Sequence, residues 1–132
     1  MIKKSNKQKI LEIKTFNLLS GFTFNYPVFK DWEIIENKKI NSNEYYIKLN
    51  FPDSINLYSS PLIKIRKTKS EISNNSKLIK NINNVSYSKE DSIIYFYNKN
   101  NKVIIDFSSI PTDETFSKEI FSKTIIESFS IE

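Results

Sequence analysis

Four cations crowd into residues 64–69, KIRKTK: Lys64, Arg66, Lys67 and Lys69. Arg66 is the one arginine of the chain, against nineteen lysines. A run like this can neutralise phosphates or another polyanion by ion contact. It is poor material for reading bases, because lysine lacks the planar fork with which arginine grips a base edge or a phosphate at two points. No aromatic or amide side chain interleaves with the cations, and lysines along a strand also block unwanted edge-to-edge pairing. A solvated edge strand is the first reading of this run. Binding of an anionic partner through Lys64, Arg66, Lys67 and Lys69 is the second.

Other chemistry is sparse. The chain has no cysteine and no histidine, which excludes disulfides, thiolate nucleophiles, imidazole acid–base catalysis and Cys- or His-ligated metal sites. Gly21 is the single glycine, so neither a phosphate-binding glycine loop nor a dinucleotide fingerprint can form. The adjacent acids Glu90-Asp91 and Asp113-Glu114 lack the spacing of a calcium loop and read as a polar turn and a helix start. Serines and lysines are abundant, but no pattern selects a Ser–Lys pair. These residues predict no catalytic residue, no metal, no cofactor and no enzyme activity.

Composition sets the frame. One domain is expected from 132 residues, and 39% hydrophobic with 14% aromatic residues supplies a core. The net charge of +5 suits an anionic partner, but the excess of Ile, Lys, Asn, Phe and Tyr is also what an A/T-rich coding bias produces. Nucleic acid is therefore not the expected partner. No apolar run is long enough to span a membrane. The basic start MIKKSNKQK is followed by a segment that Glu12 and Lys14 interrupt, unlike a signal peptide. The expected location is cytoplasmic if the chain is complete, and extracytoplasmic if an export signal has been removed.

The elements that must position any site follow from periodicity. Residues 3–19 fit a helix or an extended lead-in equally poorly. Phe22, Phe24 and Tyr26 alternate with Thr23 and Asn25, the period of a half-buried strand. With uncharged residues opposite, this aromatic row reads as core rather than as a stacking platform, and Trp32 belongs to the same core. A turn at Asn41-Ser42-Asn43 leads into Tyr45, Ile47, Leu49 and Phe51, which alternate with polar neighbours. PLIKIRKTK is a third strand, with Lys64 and Arg66 on one face and Ile63 and Ile65 on the other. A loop follows, with a short helical piece around residues 76–82. Residues 93–97 and 103–107 flank NKNNK as a hairpin, apolar on both faces at their centres and so expected to be covered on both sides. The last element is a helix capped by Thr112 or Asp113, with Glu119, Lys123 and Glu127 on its polar stripe.

Both ends of this pattern resemble small bacterial PsbP-like proteins. FTFNYPVFKDWEI is similar to their first strand and corner, and DETFSKEIFSKTIIESFSI to their closing segment. The resemblance implies the PsbP/Mog-type α/β sandwich and a non-enzymatic accessory role, as in members that serve the oxygen-evolving photosystem or bind a small GTPase. It transfers no functional residue. The sequence thus predicts an α+β fold, a central antiparallel sheet with helices packed on it. Residues 1–20 form a lead-in and residues 21–132 a single domain. The expected function is that of a monomeric binding or accessory module with a protein partner. The alternative is a polyanion or nucleic-acid binder using the Lys64 to Lys69 strand.

Overall fold

The computed structural model describes residues 10–18, 20–50, 61–69, 80–82, 85–98, 101–110 and 115–131. Among them are ten strands and one helix. The strands are β1 (Ile10–Phe16), β2 (Phe22–Phe29), β3 (Glu33–Asn41), β4 (Glu44–Asn50), β5 (Leu62–Lys69), β6 (Lys80–Ile82), β7 (Val85–Glu90), β8 (Ile93–Tyr97), β9 (Asn101–Asp106) and β10 (Ser130–Ile131). The helix is α1 (Lys118–Ser128). Seven strands form one antiparallel sheet in the order β3-β4-β5-β9-β8-β7-β6, and β1-β2-β10 form a second.

The alternation read from the sequence sets which residues enter the core. Tyr45, Ile47 and Leu49 of β4, Ile63 and Ile65 of β5, Ile94 and Phe96 of β8, and Val103 and Ile105 of β9 are all buried. They form the inner face of the large sheet. Opposite them stand Phe22, Phe24 and Tyr26 of β2, also buried. Phe16 and Phe22 meet Tyr45 edge-on, each at 5.8 Å between ring centroids, so aromatic packing joins the two layers. Trp32 is buried against Phe116, and its indole Nε1 donates to Thr115 Oγ1 at 2.9 Å. The aromatic run is core, as its spacing predicts.

The expected α+β architecture, a sheet with helices packed on it in the PsbP/Mog manner, does not form. The fold is mostly β, and strands supply most of the second layer. The reason begins at the N-terminal end. The segment whose period was ambiguous pairs with β2 as β1, and its Phe16 enters the core on Phe22 and Phe24. The lead-in expected ahead of Gly21 therefore contributes a strand. Residues 80–82, placed in a helical piece by the sequence, pair with β7 as β6, while residues 71–79 lie outside the described ones.

The helix α1 continues the second layer beside β2. Ser117 caps it by accepting from the Ile120 N–H at 3.1 Å; the expected caps Thr112 and Asp113 lie outside the described residues. Phe121, Ser122, Ile125 and Ile126 form its buried stripe. At its end Ser128 Oγ accepts from the Asn25 N–H at 2.7 Å, which ties the helix to β2. Phe129 then turns the chain into β10 and stacks on Phe96 at 3.8 Å.

Gly21 is needed where it stands. Its φ of +87° lies in the left-handed region, and a Cβ there would meet Lys67 Nζ at 3.1 Å.

Candidate functional site

The pleat turns alternate residues of β4, β5, β9 and β8 away from the core, and there they form a second surface. Pairing register decides which of them meet. Tyr46 of β4 stands opposite Lys64 of β5, which stands opposite Asp106 of β9. In the next row Glu44, Arg66, Ile104 and Tyr95 follow one another across β4, β5, β9 and β8. Residues far apart in sequence thus share a patch only a few strand spacings wide.

This patch carries a recess of about 350 Å³. Leu62 and Ile104 give it apolar surface, Lys64 and Arg66 give it positive charge, and Glu44 and Asp106 line it with carboxylates. The two signs are not equally available. Asp106 Oδ1 already accepts from the Ser108 N–H at 2.9 Å and the Ser108 hydroxyl at 2.6 Å. Glu44 Oε1 accepts from Asn41 Nδ2 at 3.1 Å. Glu44 is thereby tied to the turn that enters β4, and Asp106 to the turn that leaves β9. Among the described residues, Lys64 and Arg66 form no ion pair within 4 Å and no side-chain hydrogen bond. An incoming carboxylate therefore finds a free guanidinium, able to take it through two parallel N–H groups, and an ammonium on the same face.

The hydroxyls nearby stay neutral at ordinary pH. The bond that Tyr46 donates to Glu36 Oε1, at 2.9 Å, raises its pKa above the usual phenol value, with burial and the Glu36 charge adding to it. Burial raises that of Tyr95, helped by the charge of Glu90. The ring of Tyr95 is not an open stacking surface: Lys102 Nζ lies 5.0 Å from its centroid and 5.6 Å from that of Tyr97. The centres of β8 and β9, expected to be covered on both sides, are fully buried only on the inner one among the described residues, although Tyr97 at the outer-facing end of β8 is buried as well. Ile93, Tyr95 and Ile104 are half-buried on the outer side.

The strand that carries the basic run is not an edge: β5 lies inside the large sheet, hydrogen-bonded to β4 on one side and β9 on the other, and the four sequence-selected cations do not converge. Lys64 and Arg66 share the outer face and are exposed. Lys67 and Lys69 fall on the opposite parity of β5, so the pleat sends them to the other side. Lys67 Nζ donates to the Ser20 carbonyl at 3.3 Å, closing one end of the sandwich beside Gly21. The sequence reading missed Tyr46, Leu62, Ile104 and Asp106. The signal was there as alternation within each strand, but no local feature says that β9 lies beside β5.

No family model, curated protein or solved structure matches this chain. Among the described residues no helix is long and apolar enough to cross a membrane.

Proposed function

We propose that this chain is a non-enzymatic binding module, and that the outer face of its large sheet receives a protein segment presenting an acidic side chain beside an apolar one. The observation that carries the reading is the unequal state of the charges around the recess. Two cations are free, and the two nearest carboxylates are held by their own turns. Leu62 and Ile104 supply an apolar contact next to the cations, and a recess of about 350 Å³ suits one or two side chains.

The split of the cations weighs against a nucleic acid. A polyphosphate needs a line of cations, and one crossing this face would pass Glu44 and Asp106. A single carboxylate brings one negative charge near those two acids, where a phosphate chain brings several.

The test is a fluorescence-anisotropy titration at physiological salt. The probes are labelled peptides that alternate Asp or Glu with Leu or Phe, their charge-reversed counterparts, and single-stranded oligonucleotides. The expected result is binding of the acidic peptides alone, weakened about tenfold or more in Lys64→Ser/Arg66→Ser, since a bond to a charged group contributes about 1.5–3 kcal/mol. Lys67→Ser leaves this binding unchanged. Equal binding of acidic and basic peptides overturns the reading, and tight oligonucleotide binding that depends on Lys64 and Arg66 replaces it with the polyanion alternative.

A further inference from the structure

β1 is an edge of the small sheet, and its outer side has no partner among the described residues. It is also the least guarded of the long edges. β3, the edge of the large sheet, carries Glu33, Glu36, Lys38 and Lys39 in nine residues, the usual protection against edge pairing. β1 carries Glu12 and Lys14 in seven, and these pair with each other at 3.6 Å. Its apolar residues Leu11 and Ile13 are 58% and 50% exposed.

The backbone of β1 is set for a further strand. On β2, Asn25 turns its N–H and its C=O toward Ser128 of the helix, away from β1. Pro27, two residues on, has the same orientation and no N–H to donate. Asn25 and Pro27 stand opposite Thr15 and Ile13. These are therefore the non-bonded pairs of the β1–β2 ladder, and Ile13 and Thr15 direct their own N–H and C=O groups to the open edge. The register shift near Ile10 lies at the far end and leaves residues 12–16 regular.

We infer that β1 pairs antiparallel with β1 of a second copy of this chain, in the register centred on Ile13, joining the two small sheets into one. Charge complementarity selects this occupant and this register. With Ile13 opposite Ile13 of the second copy, Glu12 of each chain faces Lys14 of the other, twice by symmetry. A register centred on Glu12 or on Lys14 would place like charges face to face, as would parallel pairing in register. The bonded position falls on Ile13, so each copy donates and accepts there, and Glu12 and Lys14 fall on the closer-spaced pairs. The intrachain Glu12–Lys14 contact is exposed, contributes little, and exchanges readily for the crossed pairs. Seven residues a side make a small interface, so the dimer is weak and concentration-dependent. It replaces the monomer expected from the sequence and leaves the outer face of the large sheet free.

Sedimentation velocity of the full chain from about 10 μM to about 1 mM tests it, these concentrations bracketing a small, transient interface. Wild type is expected to shift from monomer to dimer across this range. Lys14→Glu and Glu12→Lys, each alone, set like charges opposite and are expected to weaken the dimer about tenfold or more. Mixed in equal amounts they restore complementary pairs, and the heterodimer is expected to return at the wild-type concentration. Thermal melts of both variants confirm that each is folded. A wild type that remains monomeric throughout overturns the inference, as does a dimer that both single variants retain or that their mixture fails to restore.

Discussion

The inner and outer faces of the large sheet are built from the same strands, often from adjacent residues, and differ in almost every property. On β8, Phe96 is fully buried and stacks on Phe129, while Tyr95 beside it is half-buried under Lys102. On β5, Ile63 and Ile65 are buried, while Lys64 and Arg66 between and after them are exposed. What separates the faces is the layer laid on one of them by β1, β2, β10 and α1. The covered face had to be apolar and is therefore uninformative about function. The other is free to keep charges unpaired, and that is where the candidate site lies.

Removing the cover is the most severe way to break this contrast. Deleting residues 117–132 takes away Phe121, Ile125, Ile126 and Phe129, all buried. At roughly 2–5 kcal/mol for each large buried side chain, the loss matches or exceeds the whole stability of a typical domain. The truncated chain is expected to aggregate or to lose cooperative unfolding; a soluble product with a sharp thermal transition would show that the helix is an appendage.

Adjacent residues on β8 sharpen the comparison. Phe96→Ala is expected to cost about 3–5 kcal/mol by leaving a cavity under Phe129. Tyr95→Ala, one residue away on the outer face, is expected to cost about 1 kcal/mol, the scale of an exposed cation–π contact. Urea unfolding of both variants measures the ratio, and equal losses would mean that the outer face is packed as well.

The hydroxyls give a pH handle on the same division. Burial raises the pKa of Tyr26 above its ordinary 10.0, opposed by the bond it accepts from Asn37 Nδ2. A group whose folded pKa is raised contributes its stability in full below the unfolded value, and loses it as pH climbs through the folded one. Melting temperature is therefore expected to fall above pH 10, and Tyr26→Phe to flatten that fall. An unchanged alkaline slope would place the phenol in contact with water.

The smallest stability effect belongs to the site. Lys64→Ser/Arg66→Ser removes no buried contact and is expected to change stability by no more than about 0.5 kcal/mol. Chemical denaturation of the double variant checks this, and a loss of several kcal/mol would assign both cations to the structure instead of to a partner.

Much of the inner face was legible in the sequence. Phe22, Phe24 and Tyr26, then Tyr45, Ile47 and Leu49, announce strands and a buried side by alternation, which depends only on the geometry of neighbouring residues. So did the separation of Lys64 and Arg66 from Ile63 and Ile65. The same rule sends Lys67 and Lys69 away from Lys64 and Arg66, a consequence obscured when the four are read as one basic run. The site itself was not legible, because the row from Glu44 through Arg66 and Ile104 to Tyr95 exists only through the strand order β4-β5-β9-β8.

The sequence by itself determined that this chain makes alternating strands, that its aromatic run is core, and that a helix closes it. Each of these follows from local period and capping chemistry. Only the tertiary structure decided that residues 10–16 are a strand, since their apolar pattern fits neither period and pairing with β2 breaks the tie. It also decided that strands form most of the second layer, and that Lys64 and Arg66 have carboxylates near them that are already engaged. Those outcomes depend on which distant segments pair and in what register, and long-range pairing leaves no mark on the residues nearest in sequence.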